Sequence, residues 1–286
     1  MDVIIAINNQ YMEMCKTMLF SLLNSNKKND VVIHIFNKNL NSKNIVELEK
    51  FIKKNGGNSK IYELTDILFE GVSRVLERFS VEMFFRIIAY KILPVSIERA
   101  LWLDSDLLVR SDLFDFYNQS FGDMELIVCR DAYSNSSFIQ KIKSKMEIPE
   151  DHDYFNSGVI LFNLKRIREN LDESQIIEII EKYNTLLTYP DQDILNKLFA
   201  GKVKYCNEEI YNFQVNEIYR ADVRKTIILH YAGERKPWIP IKAYPISNEY
   251  WKERVKMGDV FGTLRFYLIY GFWYVPKIIK RGTKCG

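Results

Sequence analysis

Cysteine is scarce in this chain. Cys15, Cys129, Cys206 and Cys285 lie far apart, and no two of them form a Cys-x-x-Cys pair. That spacing argues against a zinc site or a disulfide framework, and reduced thiols in a cytosolic protein are the simplest reading. No Gly-x-Gly-x-x-Gly follows the first apolar run, so the dinucleotide fingerprint is absent. A bilayer-crossing helix needs roughly 20 apolar residues in succession, and no stretch here supplies them. Nor does a basic leader precede an apolar core at Met1-Asp2, so no secretory signal is expected. Acidic residues are missing from the C-terminal stretch: residues 260–286 hold Arg265, Lys277, Lys280, Arg281 and Lys284 and no Asp or Glu. The net charge of +3 thus divides into +5 on that stretch and −2 on residues 1–259. A slightly acidic body argues against a nucleic-acid-binding surface.

What is present is a globular composition. With 286 residues, 47% hydrophobic and 27% charged, the chain has room for one large α/β domain, or one domain with an appendage. Residues 3–7, 31–36 and 60–64 are short β-branched or apolar runs, the pattern of buried strands. Between them, Cys15, Met18, Leu19, Leu22 and Leu23, then Ile45, Leu48, Phe51 and Ile52, recur at helical spacing. Gly56-Gly57 ends the second helix. Strand–helix–strand–helix–strand implies right-handed crossovers and a parallel sheet, as in the nucleotide-binding half of a Rossmann-like fold. Ligands of such sheets bind beyond the carboxyl ends of the strands, which places the turn at residues 8–11 on the binding edge. Further along, residues 80–93 read as a helix carrying Arg86, and residues 100–103 and 126–129 read as strands. A strand follows Asn156-Ser-Gly158, residues 174–183 are helical, and Pro190-Asp-Gln-Asp193 opens another helix. Residues 227–229 form a last strand ahead of His230.

Asp104-Ser-Asp106 is the chemically loaded point. Two carboxylates sit one residue apart between apolar runs, and uncompensated buried carboxylates are expensive. A hard divalent metal at a strand's carboxyl end would hold them and bridge to a phosphate-bearing ligand. The alternative is a turn in which the pair caps backbone amides. His230, Gly233, Lys236 and Trp238 form a second cluster in a loop containing Pro237. Singly they read as a structural histidine and a solvated lysine. Beside a metal they suggest a diphosphate clamp, with His230 as third ligand and Gly233 and Lys236 against phosphate oxygens. In Asp191-Gln192-Asp193, helix capping explains one carboxylate but not all three polar residues.

The tail is the last distinct region. Residues 266–275 are aromatic-rich and uncharged, with Tyr267, Tyr270, Trp273 and Tyr274, and a basic segment follows. Aromatic residues beside Lys and Arg suit a peripheral membrane interface, and a helix packed on its own core or on a partner subunit is the alternative. The expected division is a catalytic domain over residues 1–258 and a membrane-associating tail over residues 259–286.

Taken in order, Asn8-Asn9-Gln10-Tyr11, Arg86, Asp104-Ser-Asp106, Asn156-Ser-Gly158, Asp191-Gln-Asp193 and His230-x-x-Gly233-x-x-Lys236-Pro-Trp238 resemble glycosyltransferase family 8. This is the retaining family that includes bacterial lipooligosaccharide galactosyltransferases and glycogenin. The resemblance implies a single GT-A domain, a UDP-hexose donor and manganese, with magnesium as the alternative ion. It places the metal on Asp104, Asp106 and His230. Donor binding falls to Ala6, Asn8, Tyr11, Arg86, Asp104, Ser105, Asn156, Asp191, Gln192, Gly233 and Lys236, with Tyr11 as the stacking platform. Gln192, Asp191 and Asp131 are the implied catalytic residues. Asn8-Asn9 stands where bacterial members carry an acidic pair, which loosens the inference about the base. The implied activity is transfer of glucose or galactose to a glycan or glycolipid acceptor in surface-polysaccharide synthesis, at the inner face of the membrane. A nucleotidyltransferase would want a Gly-rich basic loop in place of residues 8–11, and an inactive UDP-sugar-binding protein would not need Asp104, Asp106, His230, Gln192 and Lys236 intact.

Overall fold

The computed structural model of the chain describes residues 1–64, 81–215, 223–234, 236–239 and 246–282. Residue 80 of the expected 80–93 helix, Lys284 and Cys285 lie outside them. Val3, Ile4 and Ile5 have no room for water on either side, and this is why the N-terminal run extends as a strand inside the core, β1 (Asp2–Ala6). A turn at Asn9–Tyr11 leads into the helix Met12–Ser25. Then follow β2 (Val32–Asn37), the helix Ser42–Lys54 and β3 (Asn58–Glu63). The Asn41 side chain accepts from the Asn44 amide and caps the second helix. β1, β2 and β3 pair in parallel, as the alternation of strand and helix requires.

The second half builds on the other edge of β1. β4 (Arg99–Leu103) pairs with it in parallel, placing Val3 opposite Leu101. β5 (Leu107–Val109), β6 (Leu126–Arg130), β7 (Phe155–Asn163) and β8 (Val203–Cys206) complete the run. The large sheet has the order β3-β2-β1-β4-β7-β6-β8, with β7 antiparallel to both its neighbours and the other pairs parallel. Alternate residues split the core into two layers. Val3, Ile5, Leu101 and Leu103 face the helices Met12–Ser25 and Ser42–Lys54, while Ile4, Trp102, Ile160 and Phe162 face the helices Glu173–Tyr183 and Pro190–Leu198.

β5 leaves the large sheet and joins β9 (Phe213–Gln214) and β10 (Ile228–His230) in a three-stranded sheet, order β5-β10-β9. Its outer residues Leu108, Phe213 and Leu229 pack on Tyr250, Trp251 and Phe266 from the helices Ser247–Lys256 and Val260–Gly282. Phe266 stacks on Trp251 at 4.3 Å between centroids, so the start of the C-terminal helix belongs to a hydrophobic cluster.

One expected element is corrected. Residues 80–93 are not one helix: Val81–Arg86 is a 3-10 segment and Ala89–Ile92 a single α-turn. Phe84, Phe85, Ile87 and Ile88 are all buried in succession, so the middle of the segment has no single apolar face and is shaped by the core around it.

Candidate active site

The carboxyl ends of β1 and β4 lie side by side, and Asp104 is the first residue past β4. Its amide donates to Gly158 O at 3.0 Å, which ties it to β7. Trp102 lies two residues earlier on the same face and donates its indole N–H to Asp104 Oδ1 at 2.8 Å. Arg86 donates to the same oxygen through Nη2 at 2.9 Å. The same guanidinium donates to Ser157 O at 2.7 Å and Ser157 Oγ at 2.9 Å, and its Nε lies 3.0 Å from Asp191 Oδ2. Arg86 is thus the hinge pin between Asp104 and Asp191, a role for a planar fork of donors.

Asp106 is held separately. Lys236 Nζ donates to its Oδ2 and, at 2.8 Å, to Tyr231 O. His230 Nε2 lies 3.4 Å from Asp106 Oδ1. Burial works to raise the Asp106 pKa, but the Lys236 ammonium and then His230 outweigh it and hold the carboxyl well below the usual carboxylate range. On its other side, His230 Nδ1 is 2.8 Å from Asn212 Oδ1. Asparagine's oxygen can only accept, so Nδ1 carries a proton, and in the neutral imidazole Nε2 is then the nitrogen free to act as a ligand.

Asp104, Asp106 and His230 each offer a ligand atom, all within 4.8 Å of one another, a spacing that can hold a metal ion. Three further observations fit a hard divalent cation there. Two carboxylates and an imidazole of fixed tautomer are a suitable donor set. Four carboxylates line the cleft, Asp104, Asp106, Asp131 and Asp191, facing the cations Arg86 and Lys236. And Gly158 leaves the space open, since a Cβ there would collide with His230 Cε1 and lie 3.0 Å from Asp104 Oδ2.

The cleft that opens in front of this cluster has a volume of about 730 Å³. Its floor is a web of amides and carboxylates. Gln192 Oε1 accepts from Ser157 N and Asn156 Nδ2, both at 3.0 Å. Asp131 Oδ2 accepts from Asn156 Nδ2 at 3.3 Å and Gln192 Nε2 at 3.4 Å. Asn156 Oδ1 accepts from Asn212 Nδ2 at 3.0 Å, linking the floor to His230 through Asn212. Asp191 accepts from Ser157 Oγ at 3.1 Å, and burial, reinforced by Asp104 and opposed by Arg86, raises its pKa. Tyr133, Phe138 and Tyr189 add an exposed aromatic rim to the cleft, with Phe138 and Tyr189 edge to face at 6.3 Å.

Of the residues singled out in the sequence, Arg86, Asp104, Asp106, Asp131, Asn156, Asp191, Gln192, His230 and Gly233 line this cleft, and Lys236 stands behind Asp106. Ala6, Asn8 and Tyr11 do not line it. They follow β1 on the neighbouring sheet edge, joined to the acidic turn by Ser105 Oγ, 3.4 Å from Ala6 O, and Tyr11 is exposed. Asp193 turns out to be the capping carboxylate: Oδ2 accepts from the Thr188 and Tyr189 amides, and Tyr154 donates its hydroxyl to Oδ1. Ser157, Asn212, Gln214 and the aromatic rim carry no sequence signal of their own. Trp102 did have one, since residues two apart in a strand share a face.

Comparison with known proteins agrees with this geometry. Residues 2–242 match the family described as glycosyl transferase family 8. A putative glycosyltransferase of Haemophilus influenzae is 25% identical over 83% of this chain and 73% of its own. A lipopolysaccharide 1,2-glucosyltransferase of Escherichia coli K12 is 28% identical over 59% of this chain, a match spanning 52% of that enzyme. A lipopolysaccharide 1,3-galactosyltransferase of Salmonella typhimurium is 21% identical over 85% of this chain and 74% of its own. Among solved structures, the galactosyltransferase LgtC, crystallised with donor and acceptor sugar analogues, superposes with a TM-score of 0.76 at 24% identity, covering 90% of this chain and 96% of LgtC. Its fold, a mostly parallel sheet flanked by helices, is the GT-A fold seen here. A matched segment of residues 2–242 takes in every cleft-lining residue named above, and by that match the chain belongs to glycosyl transferase family 8.

Proposed function

We propose that the protein is a retaining hexosyltransferase that moves glucose or galactose from a UDP-sugar to a glycan acceptor in lipopolysaccharide or related surface-polysaccharide synthesis. The observation that carries the reading is the joining of Asp104, Asp106 and His230 to one end of a cleft whose floor is Asn156, Asp191, Gln192 and Asp131. A divalent ion, manganese foremost, would be held by Asp104, Asp106 and His230, and when bound it supplies Lewis-acid charge beside the leaving diphosphate. Lys236, which balances Asp106 in the free protein, would share the charge of the diphosphate, and Gly233 lines the cleft beside His230. The floor suits hydroxyls, because its amides and carboxylates offer both donors and acceptors. Ala6, Asn8 and Tyr11 would take the nucleoside along the sheet edge, with Ser105 at the junction.

Retention requires either a double displacement or front-face attack. The candidate nucleophiles are poor ones here. Gln192 is an amide whose oxygen already accepts two N–H groups, and Asp191 is tied to Arg86 and Ser157. The reading is therefore front-face attack, with the departing phosphate oxygen taking the acceptor's proton and Asp131 orienting sugar and acceptor. A panel of nucleotide sugars with Mn²⁺, followed by UDP release, tests the donor: turnover of no UDP-hexose would sink the proposal. A covalent hexosyl adduct on Gln192 or Asp191 would replace front-face attack with double displacement.

The C-terminal helix supports attachment to a membrane surface. Phe261, Leu264 and Leu268 are exposed at spacings of three and four, which puts them on one face, and the basic residues follow in the sequence. Among the described residues no helix is long and apolar enough to cross a membrane.

A further inference from the structure

Gln214 lines the cleft and is only 4% exposed, and its Nε2 is a buried donor with no partner among the described residues. An unpaired buried amide N–H bears its desolvation cost with nothing in return, and such groups in native proteins call for a reason. The strand register supplies one. β9 runs parallel to β10 with Gln214 opposite His230, so both side chains leave the small sheet on the same face. Their neighbours Phe213 and Leu229 point the other way, into the cluster around Trp251. Gln214 therefore stands beside the His230 imidazole, with Ala232 and Gly233 completing that wall of the cleft. A diphosphate held at this end would bring oxygens that accept and never donate, the complement of a spare N–H. The last torsion of a glutamine is broad, so the amide can turn its N–H from the wall into the cleft without moving the strand.

We infer that Gln214 is a substrate-binding residue whose Nε2 donates to a non-bridging oxygen of the donor's diphosphate. The inference rests on the proposed reading of the cleft as a nucleotide-sugar site. A neutral donor on an anionic oxygen supports the charge that grows there as the sugar departs.

Gln214→Met removes the N–H while keeping length and volume. Thermal unfolding of the free protein and calorimetric titration with UDP plus Mn²⁺ are the readouts, with GDP, ADP and inorganic pyrophosphate as parallel probes. The free variant should be as stable as the native protein or more so, because an orphan amide has been removed. Its affinity for UDP should fall roughly 10- to 100-fold. Gln214→Glu, which sets a like charge against the phosphate, should bind UDP more weakly still. Unchanged UDP affinity in the Met variant overturns the inference, and if transfer to an acceptor is then lost, Gln214 belongs to the acceptor instead. Should the native protein bind GDP or ADP but not UDP, the nucleotide assignment fails while the Met variant still decides the role of Gln214. Binding of no diphosphate by the native protein overturns both.

Discussion

Two residues in and behind the cleft show how differently buried groups can be used. Gly158 is there for what it leaves out. A methyl group would drive His230 or Asp104 aside, and relief by backbone movement would disturb β7. Gly158→Ala should lower Mn²⁺ affinity by about two orders of magnitude and cost roughly 1–3 kcal/mol of stability through overpacking. A Mn²⁺ titration with native affinity would show that the cluster does not need the space. Asp193 works at a distance from substrate: it satisfies two backbone amides and the Tyr154 hydroxyl in a fully buried position. Asp193→Ala would strand all three and should cost about 2–4 kcal/mol in urea unfolding, whereas Asp193→Asn, which keeps an acceptor oxygen, should recover much of it. Burial raises the Asp193 pKa despite those hydrogen bonds. Its proton is thus bound more tightly when folded. The resulting stability is present below the unfolded carboxylate pKa and is lost as pH rises toward the folded one. Subtracting the Asp193→Asn curve from that of the native protein over this acid range should isolate the slope, and parallel curves would mean Asp193 stays ionised in the fold.

At the scale of elements, legibility followed burial pattern. β1 and β2 were plain as short continuous runs rich in β-branched residues, and the helices Met12–Ser25 and Ser42–Lys54 because their apolar residues recur with a period of 3.6. The segment Val81–Arg86 was misread as helix because Phe84, Phe85 and Arg86 are buried one after another, so they record no single face. The direction of β7 was invisible for a similar reason: residues 155–162 are buried throughout, and the apolar run 159–162 that marks the strand looks the same whichever way it runs. The candidate metal site was legible because Asp104 and Asp106 lie one residue apart and their charges are out of place in an apolar run. Asn212 was not, because its meaning comes from the two-residue strand β9, which exists only once β10 lies beside it. Yet the small sheet makes Asn212 a positioning residue, holding the His230 ring and reaching the cleft floor through Asn156. Asn212→Leu should weaken Mn²⁺ binding about 10- to 100-fold. Asn212→Asp, which still accepts from Nδ1–H, should retain most of that binding while disturbing the Asn156 link, seen as a raised KM for donor. Equal Mn²⁺ affinity in the native and Leu proteins would mean that Asp104 and Asp106 orient the ion without help from His230.

For the molecule as a whole, the C-terminal helix poses the question of where catalytic body ends and attachment begins. The sequence draws the line between residues 258 and 259, where acidic residues run out one position later. Packing places part of the helix with the body: Arg254 pairs with Asp259, Thr263 is buried, and Phe266 stacks on Trp251 and, at 5.8 Å, on Tyr270. Two truncations separate these roles. A chain ending at Gly258 loses the Phe266 ring from its cluster and bares Trp251, which on the scale of a core Phe→Ala change costs about 3–5 kcal/mol. A chain ending at Gly271 keeps those contacts, so its unfolding midpoint and UDP-sugar hydrolysis should match the full chain. What the longer chain lacks is Lys277, Lys280, Arg281 and Lys284. Each basic residue near an anionic surface contributes about 1 kcal/mol, screened by salt. Flotation with anionic vesicles should therefore recover the full chain at low salt and far less of the chain ending at Gly271, which is left with the weak hold through Phe261, Leu264 and Leu268 that neutral vesicles also offer both chains. If the chain ending at Gly271 floats as well as the full chain, the exposed apolar face alone is the anchor. If neither floats, that face awaits a protein partner rather than a lipid surface.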